Sequence, residues 1–175
     1  MKLIMVRHTS VDVTPGTCYG QSDVGLRESF PVEAAAVASR IARYAPDRVY
    51  TSPLSRCVRL AEHCGYSSAL RDARLMEINF GEWEMKRFDE ITDPRINEWY
   101  DDFFNVRATG GESFADQQAR VADFLDDLRD SGCRCVIVFA HGGTILQVMM
   151  LQGHATKENA FDMQPPYGGV IEMDI

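Results

Sequence analysis

The chain has 175 residues, 45% hydrophobic and 25% charged, which suits a globular protein with one substantial core and falls short of two ordinary domains. Its net charge of −8, from 18 basic and 26 acidic side chains, argues against a general nucleic-acid binder, so a small anionic ligand would need a local group of arginines. No apolar run is long enough to span a bilayer and the N-terminus lacks a signal-peptide pattern, so a cytoplasmic protein without membrane contact is expected.

In chain order, Leu3 to Val6 is a short apolar run without turn residues, read as a buried strand that ends in Arg7, His8 and Thr9. A cation beside an imidazole at a strand end suggests a site, although a strand simply reaching solvent would read the same. Residues 9 to 26 carry Pro15, Gly16, Gly20 and Gly25 and lack periodicity, which predicts a loop. It leaves the carboxyl end of the strand, where open α/β sheets bind ligands. Its segment Cys18-Tyr19-Gly20-Gln21-Ser22-Asp23 is unusually polar and tight for an inert connection.

Ala34, Val37, Ala38, Ile41 and Ala45 share one stripe, predicting a helix over 31–45 that covers the sheet. Arg48 to Thr51 reads as the second strand. Ser52-Pro53 then reads as a helix start, with Ser52 as N-cap and Pro53 at the first helical position. Arg56 falls in the first turn, where free N–H groups and a full positive charge favour an anion. The helix should run to about Cys64, and Leu70 to Leu75 can form a short third strand or extended segment.

Glu77 follows an apolar pair and precedes a glycine-aromatic turn, a setting in which burial would fit it as a general acid; a structural carboxylate is the alternative. Glu82 and Glu84 read as solvated. Residues 85 to 110, rich in charge and aromatics, read as an irregular helical excursion that could cap a site or simply pack through Trp99, Phe103 and Phe104.

Ser113 and Asp116 stand at capping-box spacing before a helix whose Phe114, Val121, Leu125 and Leu128 share a face and which ends near Ser131-Gly132. Cys135 to Ala140 is the clearest buried strand, and it too delivers a histidine, His141, followed by Gly142-Gly143 and a helix from Thr144 to Leu151. The two glycines let the backbone approach a ligand. His63 and His154 have no comparable setting. Val170 to Ile175 alternates as an edge strand would. The five cysteines form no C-x-x-C and read as free thiols, with Cys133 and Cys135 expected on one face of a strand.

Two histidines, two arginines and a carboxylate at one sheet edge would make an anion site with a nucleophile and an acid. Arg7-His8, Ser52-Pro53-Leu54-Ser55-Arg56, Glu77 before Phe80-Gly81-Glu82-Trp83-Glu84, and His141-Gly142-Gly143 resemble, in order and over nearly the whole chain, the four motifs of the histidine phosphatase (phosphoglycerate mutase-like) superfamily. The resemblance implies a three-layer α/β/α fold with a mostly parallel sheet in a single domain, 1–175. It also implies a phosphohistidine on His8, phosphate contacts from Arg7, Arg56 and His141, proton donation by Glu77, and neither metal nor other cofactor. Thr9, Gln21 and Gly142 are expected to join the substrate site, whose ligand would be a small phosphorylated metabolite.

Thr9 replaces the family's usual glycine, and Val11 and Thr14 stand where it has threonine and asparagine. With Asp12, Gly16, Leu26 and the Cys18 to Asp23 segment, this resembles the α-ribazole phosphatase branch of cobalamin assembly, which implies α-ribazole 5'-phosphate as the leading substrate. A broad small-molecule phosphatase, a phosphoglycerate mutase and a non-catalytic phosphate-binding module are the alternatives.

Overall fold

The computed structural model describes residues 1–175. Five strands, β1 (Lys2–Arg7), β2 (Arg48–Thr51), β3 (Leu70–Arg71), β4 (Cys135–Ala140) and β5 (Val170–Asp174), form one sheet in the order β3-β2-β4-β1-β5. The first four run parallel and β5 is antiparallel at the edge beside β1, where its alternating polar residues place it.

Helices α1 (Phe30–Ile41) and α2 (Ser55–His63) cover one face, and α4 (Phe114–Asp130) and α5 (Gly142–Leu151) the other; α3 (Arg95–Asp101) lies within the excursion that follows β3. Alternation along the strands feeds both layers. Ile4, Val6, Ile137 and Phe139 pack on Ala34, Val37, Ile41, Cys57 and Leu60, while Leu3, Met5, Val136 and Val138 pack on Val121, Leu125, Ile145 and Val148. The result is the expected α/β/α sandwich.

Several boundaries differ from the sequence reading. Helix α1 ends at Ile41 rather than Ala45: Pro46 has no N–H to offer the Ala42 carbonyl and disfavours helix at Ala45, and the Tyr44 N–H closes a tighter turn on Ile41 O instead. Helix α2 begins at Ser55, so Ser52 is not its N-cap. Pro53 and Leu54 form a bend, and the Asp23 carboxylate instead accepts from the Ser55 N–H at 3.0 Å and the Ser55 hydroxyl at 2.7 Å. The third strand is two residues long and passes into a 3-10 turn, Ala73–Leu75. Helix α5 starts at Gly142, two residues before Thr144.

Cys133 and Cys135 face opposite sides, Cys133 packing with the α4/α5 layer and Cys135 with the α1/α2 layer. The strand starts only at Cys135, after Gly132 at φ +69°, so strand alternation does not reach back to Cys133. All five thiols are free.

The capping box forms as read: Ser113 Oγ accepts from the Asp116 N–H, and Asp116 accepts from the Ser113 N–H. Residues 85–110 contain a 3-10 turn, Phe88–Glu90, and α3. Trp99 packs with Ile78, Phe80 and Trp83 in a third apolar cluster, with Phe103 and Phe104 at its margin. No helix is long and apolar enough to cross a membrane.

Candidate functional site

Sheet register assembles the site. Arg7 pairs with Ala140 and Thr51 with Phe139, and the ladder continues one bond further: the His8 N–H donates to Ala140 O at 3.1 Å and the Ser52 N–H to Phe139 O at 2.8 Å. His8, His141 and Ser52 therefore leave three adjacent strands at one level. The two imidazoles stand edge to face, with ring centroids 5.2 Å apart.

Both rings are buried. His8 Nδ1 lies 2.8 Å from Thr9 O, an atom that can only accept, so Nδ1 carries the proton and the lone pair resides on Nε2. Burial first, then the charges of Arg56 and Arg7, push the His8 pKa from 6.5 down to about 3. His141 is likewise held well below its ordinary value by burial and by Arg56. Its Nδ1 accepts from Arg56 Nε at 3.2 Å, so its Nε2 carries the proton and faces Ser52 Oγ at 2.7 Å.

Arg56 is wholly buried, yet no carboxylate pairs with it; besides His141 it donates to the carbonyls of Ser22 at 2.8 Å and Gly20 at 2.5 Å. Arg7 also has no carboxylate partner: Nη1 donates to Pro165 O at 2.6 Å, the guanidinium lies 4.3 Å over the Tyr167 ring, and its buried Nε has no partner. Two cations held by carbonyls and rings leave net positive charge in a low-dielectric pocket, which an anion would neutralise.

The loop from Gly20 to Ser22 owes its shape to Glu84, which is half-buried and not solvated as its sequence setting suggested. Glu84 accepts backbone N–H bonds from Gly20, Gln21, Ser22 and Phe80 at 2.9 to 3.1 Å. Burial works to raise its pKa, and these donors outweigh that and hold it below the usual carboxylate range. The same loop turns its carbonyls to Arg56. Thus the polar Cys18 to Asp23 segment is a mount for a buried guanidinium.

Glu77 is half-buried, and its two oxygens accept from the Ile78 N–H at 3.0 Å, Gln117 Nε2 at 2.9 Å and the Gly143 N–H at 2.9 Å. Gln21 Nε2 and Arg120 Nη2 hold its carbonyl. A Cβ on Gly143 would sit 2.3 Å from Glu77 Oε1, so only glycine permits the contact.

A cavity of about 250 Å³ opens here, walled by Arg7, His8, Glu77 and Gly143 together with aromatic and aliphatic side chains and the polar Thr17, Tyr19 and Gln164. Arg56 and His141, both wholly buried, do not line it. Thr9, Gln21 and Gly142 do not line it either: Thr9 is buried with its hydroxyl unpartnered, the Gln21 amide is committed to the Glu77 carbonyl, and Gly142 packs on Gln164. His63 and His154 are exposed and remote from the cavity. The sequence marks none of Ser52, Gln117, Gln164, Phe161 and Tyr167 as a site residue: Ser52 stands in the motif that carries Arg56 but reads as a helix cap, and Gln117 shows only as a polar residue on the apolar stripe of α4.

Fold and site together define an open α/β protein with an anion pocket at the carboxyl edge of a parallel sheet, built around a neutral imidazole. The chain belongs to the histidine phosphatase superfamily (branch 1), whose profile matches residues 3–175. Members act on small phosphorylated metabolites. Phosphoserine phosphatase 1 of Hydrogenobacter thermophilus is 30% identical over 149 residues, covering 81% of this chain and 71% of the relative. Adenosylcobalamin/alpha-ribazole phosphatase of Salmonella typhimurium is 29% identical over 154 residues, covering 83% and 76%. A phosphoglycerate mutase structure from Thermus thermophilus superposes with a TM-score of 0.80 at 28% identity, covering 99% of this chain and 93% of that one.

Proposed function

We propose that this protein is a metal-independent phosphomonoesterase acting through a phosphohistidine on His8, with α-ribazole 5'-phosphate as leading substrate. The observation that carries the reading is the fixed tautomer of His8: with Nδ1 bonded to Thr9 O, the Nε2 lone pair is available beside two guanidiniums that no carboxylate neutralises. Nε2 attacks phosphorus as the ester P–O bond breaks, and Glu77 gives its proton to the leaving oxygen. Water then attacks phosphorus, Glu77 takes the water's proton, the P–N bond breaks, and His8 is regenerated. The arginines stabilise charge on the phosphoryl oxygens in both steps.

The cavity wall favours an alcohol half that carries an aromatic group. Ile78, Phe80, Phe88, Phe114, Leu146 and Phe161 are on it, and its only fixed charges are Arg7 and Glu77. A benzimidazole nucleoside suits such a wall. The ammonium of phosphoserine or the carboxylate of phosphoglycerate would find no further partner of opposite charge there. The relatives divide, one named for α-ribazole and another for phosphoserine, so the assignment rests on the wall.

The experiment is a side-by-side kcat/KM comparison, in EDTA, of α-ribazole 5'-phosphate, phosphoserine, phosphoglycerate and an aryl phosphate. The expected result is turnover in EDTA, preference for the nucleotide, and loss of all turnover in His8→Ala. Inactivity in EDTA would overturn the metal-free reading, and preference for phosphoserine or phosphoglycerate the substrate assignment.

A further inference from the structure

Two tyrosines meet beside the cavity that His8 lines. Tyr19, from the loop after β1, lies on the cavity wall with the Arg56 guanidinium 5.5 Å from its ring centre. Tyr167, from the turn before β5, stacks on Arg7 and has its ring centroid 5.6 Å from that of His8. Their hydroxyls are 2.6 Å apart, and neither has another partner.

A pair of phenols holds two hydrogens and uses one for the bond between them. One O–H therefore stays undirected beside two arginines and the His8 ring. Burial and the hydrogen bond with Tyr167 raise the Tyr19 pKa, so Tyr19 keeps its hydrogen near neutral pH. Either hydroxyl can donate in that bond, and with Tyr167 donating to Tyr19 the Tyr19 O–H is left to turn to an anion at His8.

We propose that Tyr19 and Tyr167 form a hydroxyl relay that donates one hydrogen bond to a phosphoryl oxygen held at His8, with Tyr19 as the terminal donor and Tyr167 as the positioning residue behind it. This rests on the phosphatase reading above. The wall position of Tyr19 and the more outward place of Tyr167, 39% exposed, set the order. The relay also ties the loop that mounts Arg56 to the turn that holds Arg7.

The test uses Tyr19→Phe, Tyr167→Phe and the double variant, which keep both rings and remove only oxygens. Orthovanadate inhibition constants, kcat/KM for an aryl phosphate, and Tm are measured for each. A hydrogen bond to a charged group predicts a loss of about 10- to 100-fold in orthovanadate affinity and kcat/KM for Tyr19→Phe, with unchanged Tm. Tyr167→Phe should lose only about 3-fold, because Tyr19 still donates and the Phe ring still faces Arg7. The double variant should match Tyr19→Phe within about 2-fold, since a relay is not additive. A wild-type-like Tyr19→Phe, a larger loss in Tyr167→Phe, or additive losses would overturn the relay. A wild-type protein that neither turns over the aryl phosphate nor binds orthovanadate would instead overturn the phosphatase reading on which it rests.

Discussion

Replacing Gly143 by alanine tests the acid while leaving the nucleophile and the cations untouched. The added Cβ would lie 2.3 Å from Glu77 Oε1, whereas ordinary contact begins near 3.4 Å, so the carboxylate must retreat by about 1 Å. That motion lengthens its bonds to the Gly143 N–H and Gln117 Nε2, both now 2.9 Å. A misplacement of this size costs on the order of 100-fold, within the range that general acid catalysis supplies. Stability changes too. Alanine in place of glycine gains about 1 kcal/mol of helix propensity at α5, and weakening the two charge-assisted bonds costs at most about 3 kcal/mol each, so Tm should drop by no more than about 20 °C. The assay compares kcat for an alkyl phosphate with kcat for a nitrophenyl phosphate, whose leaving group needs little protonation. The account predicts a kcat loss of about 100-fold on the alkyl ester, less than about 5-fold on the aryl ester, and unchanged orthovanadate affinity. Equal loss on both esters, or none on either, would refute the role assigned to Glu77.

Three further outcomes are expected. His8, with its folded-state pKa near 3 against 6.5 unfolded, binds fewer protons folded than unfolded between those values, so stability is full above pH 6.5 and falls as pH drops toward 3 by up to about 1.4 kcal/mol per pH unit; His8→Asn should flatten the Tm profile below pH 6.5, and a profile unchanged from wild type would contradict the buried neutral imidazole. Arg56→Lys supplies one point charge where three acceptors converge, and should abolish the rise in Tm that inorganic phosphate gives the wild type; a retained rise would show that Arg56 does not act on the anion. Glu84→Ala leaves four N–H donors unpaired and should lower stability by about 3–5 kcal/mol in urea unfolding, with phosphate affinity falling through the loop that carries the Arg56 acceptors; a loss below about 1 kcal/mol would mean that the loop holds its shape without it.

The sheet was legible because β1 and β4 are apolar runs buried on both faces, and because each ends in a histidine at the edge where parallel sheets carry ligands. The capping box at Ser113 and the edge character of β5 follow equally local rules. What escaped depends on residues distant in the chain. Ser52 carries every sign of a helix cap, yet Asp23, brought over by the 9–26 loop, takes the N-terminal N–H of α2, and Ser52 turns to His141. Glu84 sits in a charged, aromatic stretch that looks solvated, and only the return of residues 20–22 buries it. Tyr167 and Gln164 lie in a proline-rich turn with no periodicity, so nothing local says that this turn closes the cavity over Arg7.

The most direct test is to mix the protein with radiolabelled α-ribazole 5'-phosphate, quench it in denaturing alkali within one turnover, and map the labelled peptide by mass spectrometry. The account predicts up to one phosphate per chain, on His8, forming and decaying at rates no slower than kcat and vanishing on acidification. Steady turnover with no labelled protein, or label on any residue other than His8, would contradict it.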